Sequence, residues 1–374
     1  MDKSLGIYIH VPFCLKKCNY CDFCSFPTAS EDTRELYTDE LIRRIRAFAP
    51  RASERTVDTV YFGGGTPSLL SEKQISRLLC TLRASFTLSP DAEITLECNP
   101  ATASADFFRD VRRAGINRLS IGMQSAVDAE LSLLGRAHSL SDFVKCYRDA
   151  RSAGFDNVSV DLMYGIPDQT ERSLARSLEF LKQLAPEHIS TYGLSIEEGT
   201  DFYRRRASLV LADDDAQAQM YLSISDALAS AGYKKYEISN FARVGFESRH
   251  NMRYWLCREY VGFGVAAHSY FNGERYGNSR DISAFLRGED IVCERDTVTP
   301  DETRREFLML GLRLSDGISL FEYAERFGDP SPLKSSAQKF VRGGFMTLEN
   351  ERLAFTDKGF LVSNAILCEL LDAQ

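Results

Sequence analysis

Cys14, Cys18, Cys21 and Cys24 lie within eleven residues of one another in the stretch GIYIHVPFCLKKCNYCDFCSF, and no other part of the chain offers chemistry this specific. Thiolates are soft ligands suited to iron, and the C-x3-C-x2-C spacing of the first three lets one short loop wrap a single iron–sulfur cube. Three ligands leave one iron open. That vacancy suits S-adenosylmethionine (SAM), whose amino and carboxylate groups can chelate iron while an electron passes to the sulfonium. A zinc site would call for a second, well-separated Cys or His pair, and the sequence has none; unreactive structural thiols are the remaining alternative.

A second group of residues has the polarity that a zwitterionic nucleoside needs. The segment YFGGGTPS (Tyr61–Ser68) sets glycines after a β-type run, so that backbone carbonyls and amides can approach a ligand closely. It lacks the Lys of a phosphate-binding Walker loop and the G-x-G-x-x-G of a dinucleotide site. Taken alone it is equally a tight turn; beside the cysteine loop it becomes a hold for the methionine amino group. Glu97 in LECNP, Gln124 in IGMQS, Arg136 in LGRAH and Asp161 in DLMYG offer carboxylates for ammonium and ribose hydroxyls, an amide, and a guanidinium for a carboxylate. Each alone reads as readily as a cap or loop residue.

What must position these side chains is an alternation of short β-branched runs with amphipathic helical patterns, the signature of βα units on a parallel sheet. Strands are expected at Gly6–Val11, Val57–Phe62, Glu93–Glu97, Arg118–Gly122, Val158–Met163 and Ile189–Leu194, with helices between them, for example at Glu35–Phe48 and Ile75–Phe86. Helices closing on RRAG, RSAG and ASAG place Gly115, Gly154 and Gly232 where a left-handed residue turns the chain back. The fold class is therefore α/β, a partial, TIM-like (β/α)6 barrel. The unusual residues all fall at the C-terminal ends of its strands, the face that carries the site in such barrels.

Three regions follow: residues 1–212 as the barrel, 213–299 as an aromatic-rich stretch covering its open side, and 300–374 as a winged-helix-like α+β module of three helices and a hairpin. The module's helices are not strongly basic, and the net charge of −8 gives no reason to expect nucleic acid. A protein contact or lid suits it better. Neither a secretory leader nor a membrane-spanning run is visible, and reduced, cluster-type cysteines suit the cytoplasm.

The motifs YIHVPFCLKKCNYCDF, YFGGGTPS, LECNP, RLSIGMQS, LGRAHS, DLMYGIPDQT, YEISNFA and HNMRYW together resemble the radical-SAM family of oxygen-independent coproporphyrinogen III oxidases, in its heme-chaperone branch, HemW. The resemblance implies a [4Fe–4S] cluster on Cys14, Cys18 and Cys21. It implies SAM contacts from Tyr8, Tyr20, Gly64, Gly65, Thr66, Glu97, Gln124, Arg136 and Asp161. Phe23 stands where the oxidases carry a further cysteine, so Cys24 is left out of the ligand set. The short segment before Cys14 leads us to expect no oxidase-type N-terminal extension.

HNMRYW (His250–Trp255) resembles the branch's heme motif, which implies heme at His250. Residue chemistry alone favours a structural histidine among core aromatics, although imidazole is a normal axial ligand and Tyr254, Trp255 and Tyr260 could cover a porphyrin. The expected function is heme binding and transfer to acceptor proteins, membrane-associated ones included, with a flavodoxin or ferredoxin as electron donor. The alternative is an enzyme, a radical-SAM oxidoreductase that decarboxylates porphyrinogen propionates.

Overall fold

The computed structural model describes residues 3–27 and 29–372. Strands Ser4–Val11 (β1), Thr56–Gly64 (β2), Thr87–Cys98 (β3), Arg118–Gln124 (β4), Val158–Tyr164 (β5) and His188–Gly193 (β6) run parallel and pair in chain order. All six coincide with the strands expected from sequence, the largest extension being at the start of β3. Their runs of Ile, Val and Leu are buried because parallel sheets are covered on the outside by helices and filled on the inside by side chains. Leu5, Ile7, Ile9, Val60, Leu96, Leu119, Ile121, Val160 and Ile189 all join one apolar cluster with the outer helices.

Local sequence sets the helix ends. The first helix, Glu31–Phe48, starts earlier than its apolar periodicity suggests because the Ser30 side chain accepts the Thr33 amide. Helix Glu72–Ser85 opens on a capping box between Ser71 and Gln74. Helix Ala105–Ala114 closes at Gly115 with φ 116°, the left-handed cap that RRAG announces.

The stretch 213–299 does more than cover an open side. It lengthens the sheet at both edges, because strands of the core would otherwise end in unpaired backbone. Strand Asn240–Ala242 pairs antiparallel with β6, and Tyr260–Phe263 pairs parallel with β1 and carries a three-strand antiparallel extension through Val292–Thr297. Between these edges, the short helix Arg249–Trp255 plugs the barrel at the end opposite the cysteine loop. Glu93 of β3 accepts the Arg249 and His250 amides at 3.1 and 3.0 Å, and Arg253, almost wholly buried, pairs with Asp58 of β2.

Beyond residue 299, helices Pro300–Gly311, Leu320–Phe327 and Ser331–Arg342 pack on a three-stranded sheet of Ile318–Ser319, Arg352–Phe355 and Met346–Glu349. The element order is that of a winged helix, as the sequence pattern suggests, followed by two more helices, Asp357–Leu361 and Ser363–Asp372. Its separate apolar core includes Tyr221 of the barrel helix Asp214–Ser230. Tyr164, at the end of β5, packs against this core and against the barrel's own.

The Arg253 to Asp58 pair is the main charge contact sealing the plug. Arg253→Met leaves the carboxylate half-sheltered without its cation, and about 2–4 kcal/mol of stability should be lost. Urea unfolding of the metal-free protein measures this; a change below about 0.5 kcal/mol would show that the plug does not depend on the pair.

Candidate functional site

Parallel register brings the ends of β1 to β6 to one face, and a cavity of about 540 Å3 opens there. β1 pairs with β2 as far as Val11↔Gly64, so the cysteine loop leaves the sheet beside the glycine turn. The Gly65 amide donates to the Val11 carbonyl at 2.9 Å, and a Cβ on Gly65 would lie 2.8 Å from the Phe13 carbonyl. Only glycine lets the two loops pack this closely. Gly64 adopts φ 113°, which turns its amide onto the Glu97 carboxylate at 3.2 Å.

The loop itself is pinned from within the barrel. His10 points inward from β1; its Nδ1 accepts from the Tyr8 hydroxyl at 3.1 Å, and its Nε2 donates to the Cys24 carbonyl at 2.9 Å. Burial lowers the His10 pKa and keeps the ring neutral, the form that can make both bonds. Cys24 is consequently drawn into the apolar core.

Cys14, Cys18 and Cys21 are half-buried and line the cavity, and Cys24 does not. Thr66 Oγ1 is hydrogen-bonded with Cys14 Sγ at 3.5 Å, and Arg136 donates to Cys18 Sγ at 3.6 Å. Burial raises the Cys14 thiol and pushes Cys21 up to about 11, so these sulfurs stay protonated until a metal replaces the protons. Three soft donors on one wall of a cavity fit an iron–sulfur cluster with an open side.

Facing the thiols are the polar residues expected from sequence. Tyr20, Gly64, Gly65, Thr66, Glu97, Gln124, Arg136 and Asp161 all line the same cavity. Glu97 accepts from the Tyr61 hydroxyl at 2.8 Å, and burial, followed by the repulsion of Asp161, pushes its pKa up to about 7. Asp161 accepts from Ser120 at 3.1 Å and is raised by burial. Gln124 sits at φ 67° where a bulge shifts the β4–β5 register, an unfavourable conformation that aims its side chain into the cavity mouth. Arg136 also donates to the Gly122 carbonyl at 3.2 Å.

Two expected site residues lie elsewhere. Tyr8 is absent from the cavity lining; its ring stacks within the barrel on Tyr61, 6.2 Å between centroids, and its hydroxyl serves His10. His250 is 1% exposed in the plug at the far end. Its Nδ1 bonds with Thr59 Oγ1 and its Nε2 with the Tyr254 hydroxyl, each at 2.9 Å, and burial depresses its pKa to about 3. Neither nitrogen is free for a heme iron in this arrangement. Thr59 lies 191 residues away in sequence, which is why the motif alone gave no sign of the contact.

Reading the sequence for unusual residues missed Ser120, Met163 and Tyr192, which also line the cavity. Strand alternation could have found Met163, two residues from Asp161 on the same strand.

Residues 8–181 match the radical SAM superfamily, and residues 298–362 match the HemN C-terminal domain. The chain is 35% identical to the heme chaperone HemW of Bacillus subtilis, with 96% of this chain and 97% of that protein covered. It is equally identical to the heme chaperone HemW of Escherichia coli, covering 97% of each. The solved structure of coproporphyrinogen III oxidase (HemN) from Escherichia coli, a radical SAM enzyme, superposes with a TM-score of 0.85 at 24% identity, covering 99% of this chain and 90% of that one. At that identity the likeness speaks for the fold.

The Glu97 pKa gives a pH test. A carboxyl whose folded pKa is raised contributes fully below its unfolded value near 4.5, and the contribution is lost as pH rises through about 7. Stability of the metal-free protein should therefore fall by on the order of 3 kcal/mol more across that window in wild type than in Glu97→Gln. Denaturation curves of both proteins measured in parallel check this; the same pH dependence in wild type and Glu97→Gln would show that the Glu97 carboxyl is not perturbed by folding.

Proposed function

Since this chain belongs to the HemW family of heme chaperones within the radical-SAM superfamily, we infer that it binds heme and transfers it to acceptor proteins. It carries one [4Fe–4S] cluster with SAM at the open iron. The 35% identity to heme chaperones over nearly the whole of both chains carries the reading. The likeness to a coproporphyrinogen III oxidase is one of fold.

The cluster, when bound, supplies an electron to the SAM sulfonium. The chain's own residues bind and orient. Cys14, Cys18 and Cys21 hold the cluster, and Cys24 is a spectator tied down through its carbonyl. Glu97 and the Gly64–Gly65 backbone take the methionine ammonium, Arg136 the carboxylate, and Asp161 a ribose hydroxyl, with Tyr20, Thr66 and Gln124 closing around the nucleoside. Tyr8 serves indirectly, by fixing His10 and hence the loop.

Heme at His250 carries a structural condition. The ring must exchange its bond to Tyr254 for iron, so the helix Arg249–Trp255 must loosen from the barrel end. An electron donor, a flavodoxin or ferredoxin, would meet the exposed Lys16–Lys17 edge of the cysteine loop, where positive charge suits an acidic partner. No helix among the described residues is long and apolar enough to cross a membrane. A cytoplasmic site suits ten free cysteines, which a reducing compartment keeps as thiols; the acceptors in this reading include membrane-bound proteins.

Anaerobic reconstitution should give iron–sulfur absorbance in wild type and Cys24→Ala, and none in Cys14→Ala; loss in Cys24→Ala would make it a fourth ligand. Hemin titration should give a Soret band of defined stoichiometry, weakened or shifted in His250→Ala and strengthened at least severalfold in Tyr254→Phe, which frees Nε2. An unchanged band in His250→Ala would remove that residue from the heme site. Turnover of coproporphyrinogen to protoporphyrinogen with SAM and reductant would overturn a chaperone-only role.

A further inference from the structure

Beneath the cavity lies a charge that none of these roles uses. Arg118, the first residue of β4, is 2% exposed, among the largest side chains the fold buries completely. It pairs in register with Thr95, and Ser120, two residues on and facing the same way, pairs with Glu97 and hydrogen-bonds Asp161. Arg118 thus stands one step below the two cavity carboxylates. Its Nε has no hydrogen-bond partner, nor has Thr95 Oγ1 across from it. No ion pair within 4 Å involves it among the described residues.

A guanidinium is costly to bury unless opposite charge compensates it. The opposite charge that faces Arg118 is Glu97 on β3 and Asp161 on β5, both of which it draws toward ionisation. On its other side stand His188 of β6 and His250 of the plug, which it helps to hold neutral. Tyr61 and Tyr236 complete its surroundings, both raised by burial and neutral at physiological pH. The groups facing Glu97 from elsewhere, Tyr8, Tyr192 and Tyr254, are raised in the same way. The other cation near Asp161 is Arg136, whose Nη1 and Nη2 donate to Cys18 Sγ and the Gly122 carbonyl.

We propose that Arg118 is a positioning residue for SAM: from below the cavity, without touching the ligand, it supplies the positive field that keeps Glu97 and Asp161 as carboxylates. The inference rests on the reading above in which those two residues contact SAM. Its consequence is that Arg118 sets the pH range over which the ligand is held.

The test is SAM binding to cluster-reconstituted protein by equilibrium dialysis from pH 6 to 9, with cluster absorbance monitored throughout. Arg118→Met should move the pH midpoint of binding upward by about one unit, a loss of roughly tenfold in affinity at pH 7 that largely disappears at pH 9. Arg118→Lys, which keeps the charge, should hold the midpoint within a few tenths of a unit. Equal weakening at every pH in both variants, or an unmoved midpoint in Arg118→Met, would overturn the proposal. Should Arg118→Met not fold, Arg118→Gln takes its place with the same expectations. The coupling is also read without SAM: in metal-free protein, a 13C titration of the Glu97 carboxyl, assigned by its loss in Glu97→Gln, should shift upward in the Arg118 variant. A shift there combined with unaltered SAM binding in Glu97→Gln would keep the Arg118–Glu97 coupling and discard the SAM contact.

Discussion

The hydrogen bonds between β1 and β2 run in parallel from Ser4↔Thr56 to Val11↔Gly64, and the site depends on where that ladder stops. Because it stops at Val11, the cysteine loop departs at the height of the glycine turn, and the Gly65 amide can close onto the Val11 carbonyl. The same register passed along to β3, β4 and β5 brings Glu97, Gln124 and Asp161 to that height from strands far apart in sequence. A slip of one residue in any pair would turn a carboxylate outward into the helical layer. The barrel is thus a device for converting sequence spacing into a ring of groups around a cavity.

Its interior is graded in charge along the axis. Thiols, carboxylates and the Arg136 guanidinium occupy the mouth, Arg118 the middle, and neutral histidines and a sealed ion pair the far end. This order follows from what water can reach. Groups at the mouth can change protonation when ligands arrive, whereas His188 and His250, bonded on both nitrogens and deprived of solvent, stay uncharged. The placement of His250 also bears on heme. A chaperone must release what it binds, and a ligand whose resting state is a pair of internal hydrogen bonds has a built-in competitor for the iron.

Much of this was legible in the chain because the signals were local. The β-branched runs gave the six parallel strands, the helix-closing glycines gave the turns, and residues out of character at strand ends gave the thiols and many of the polar groups of the cavity. Contacts between distant segments were not legible. Nothing in HNMRYW shows that Thr59 and Glu93 will bind it, and nothing in RLSIGMQS distinguishes an Arg facing the barrel axis from one facing solvent, until the strand's bulge and direction are known. Tyr8 illustrates the same limit: its place on β1 was foreseen, but whether its hydroxyl reached the ligand or His10 depended on the depth of the barrel.

Tyr164 has a further consequence. It ends β5, three residues past Asp161 and next to the cavity-lining Met163, yet its ring is shared between the barrel's core and that of the C-terminal module, with Tyr221 beside it. Close-packed rings transmit displacement rather than absorb it. Any protein that grips the winged module therefore holds a lever whose short arm is the strand carrying Asp161, and a tilt of the module is felt in the chamber as a change of its shape.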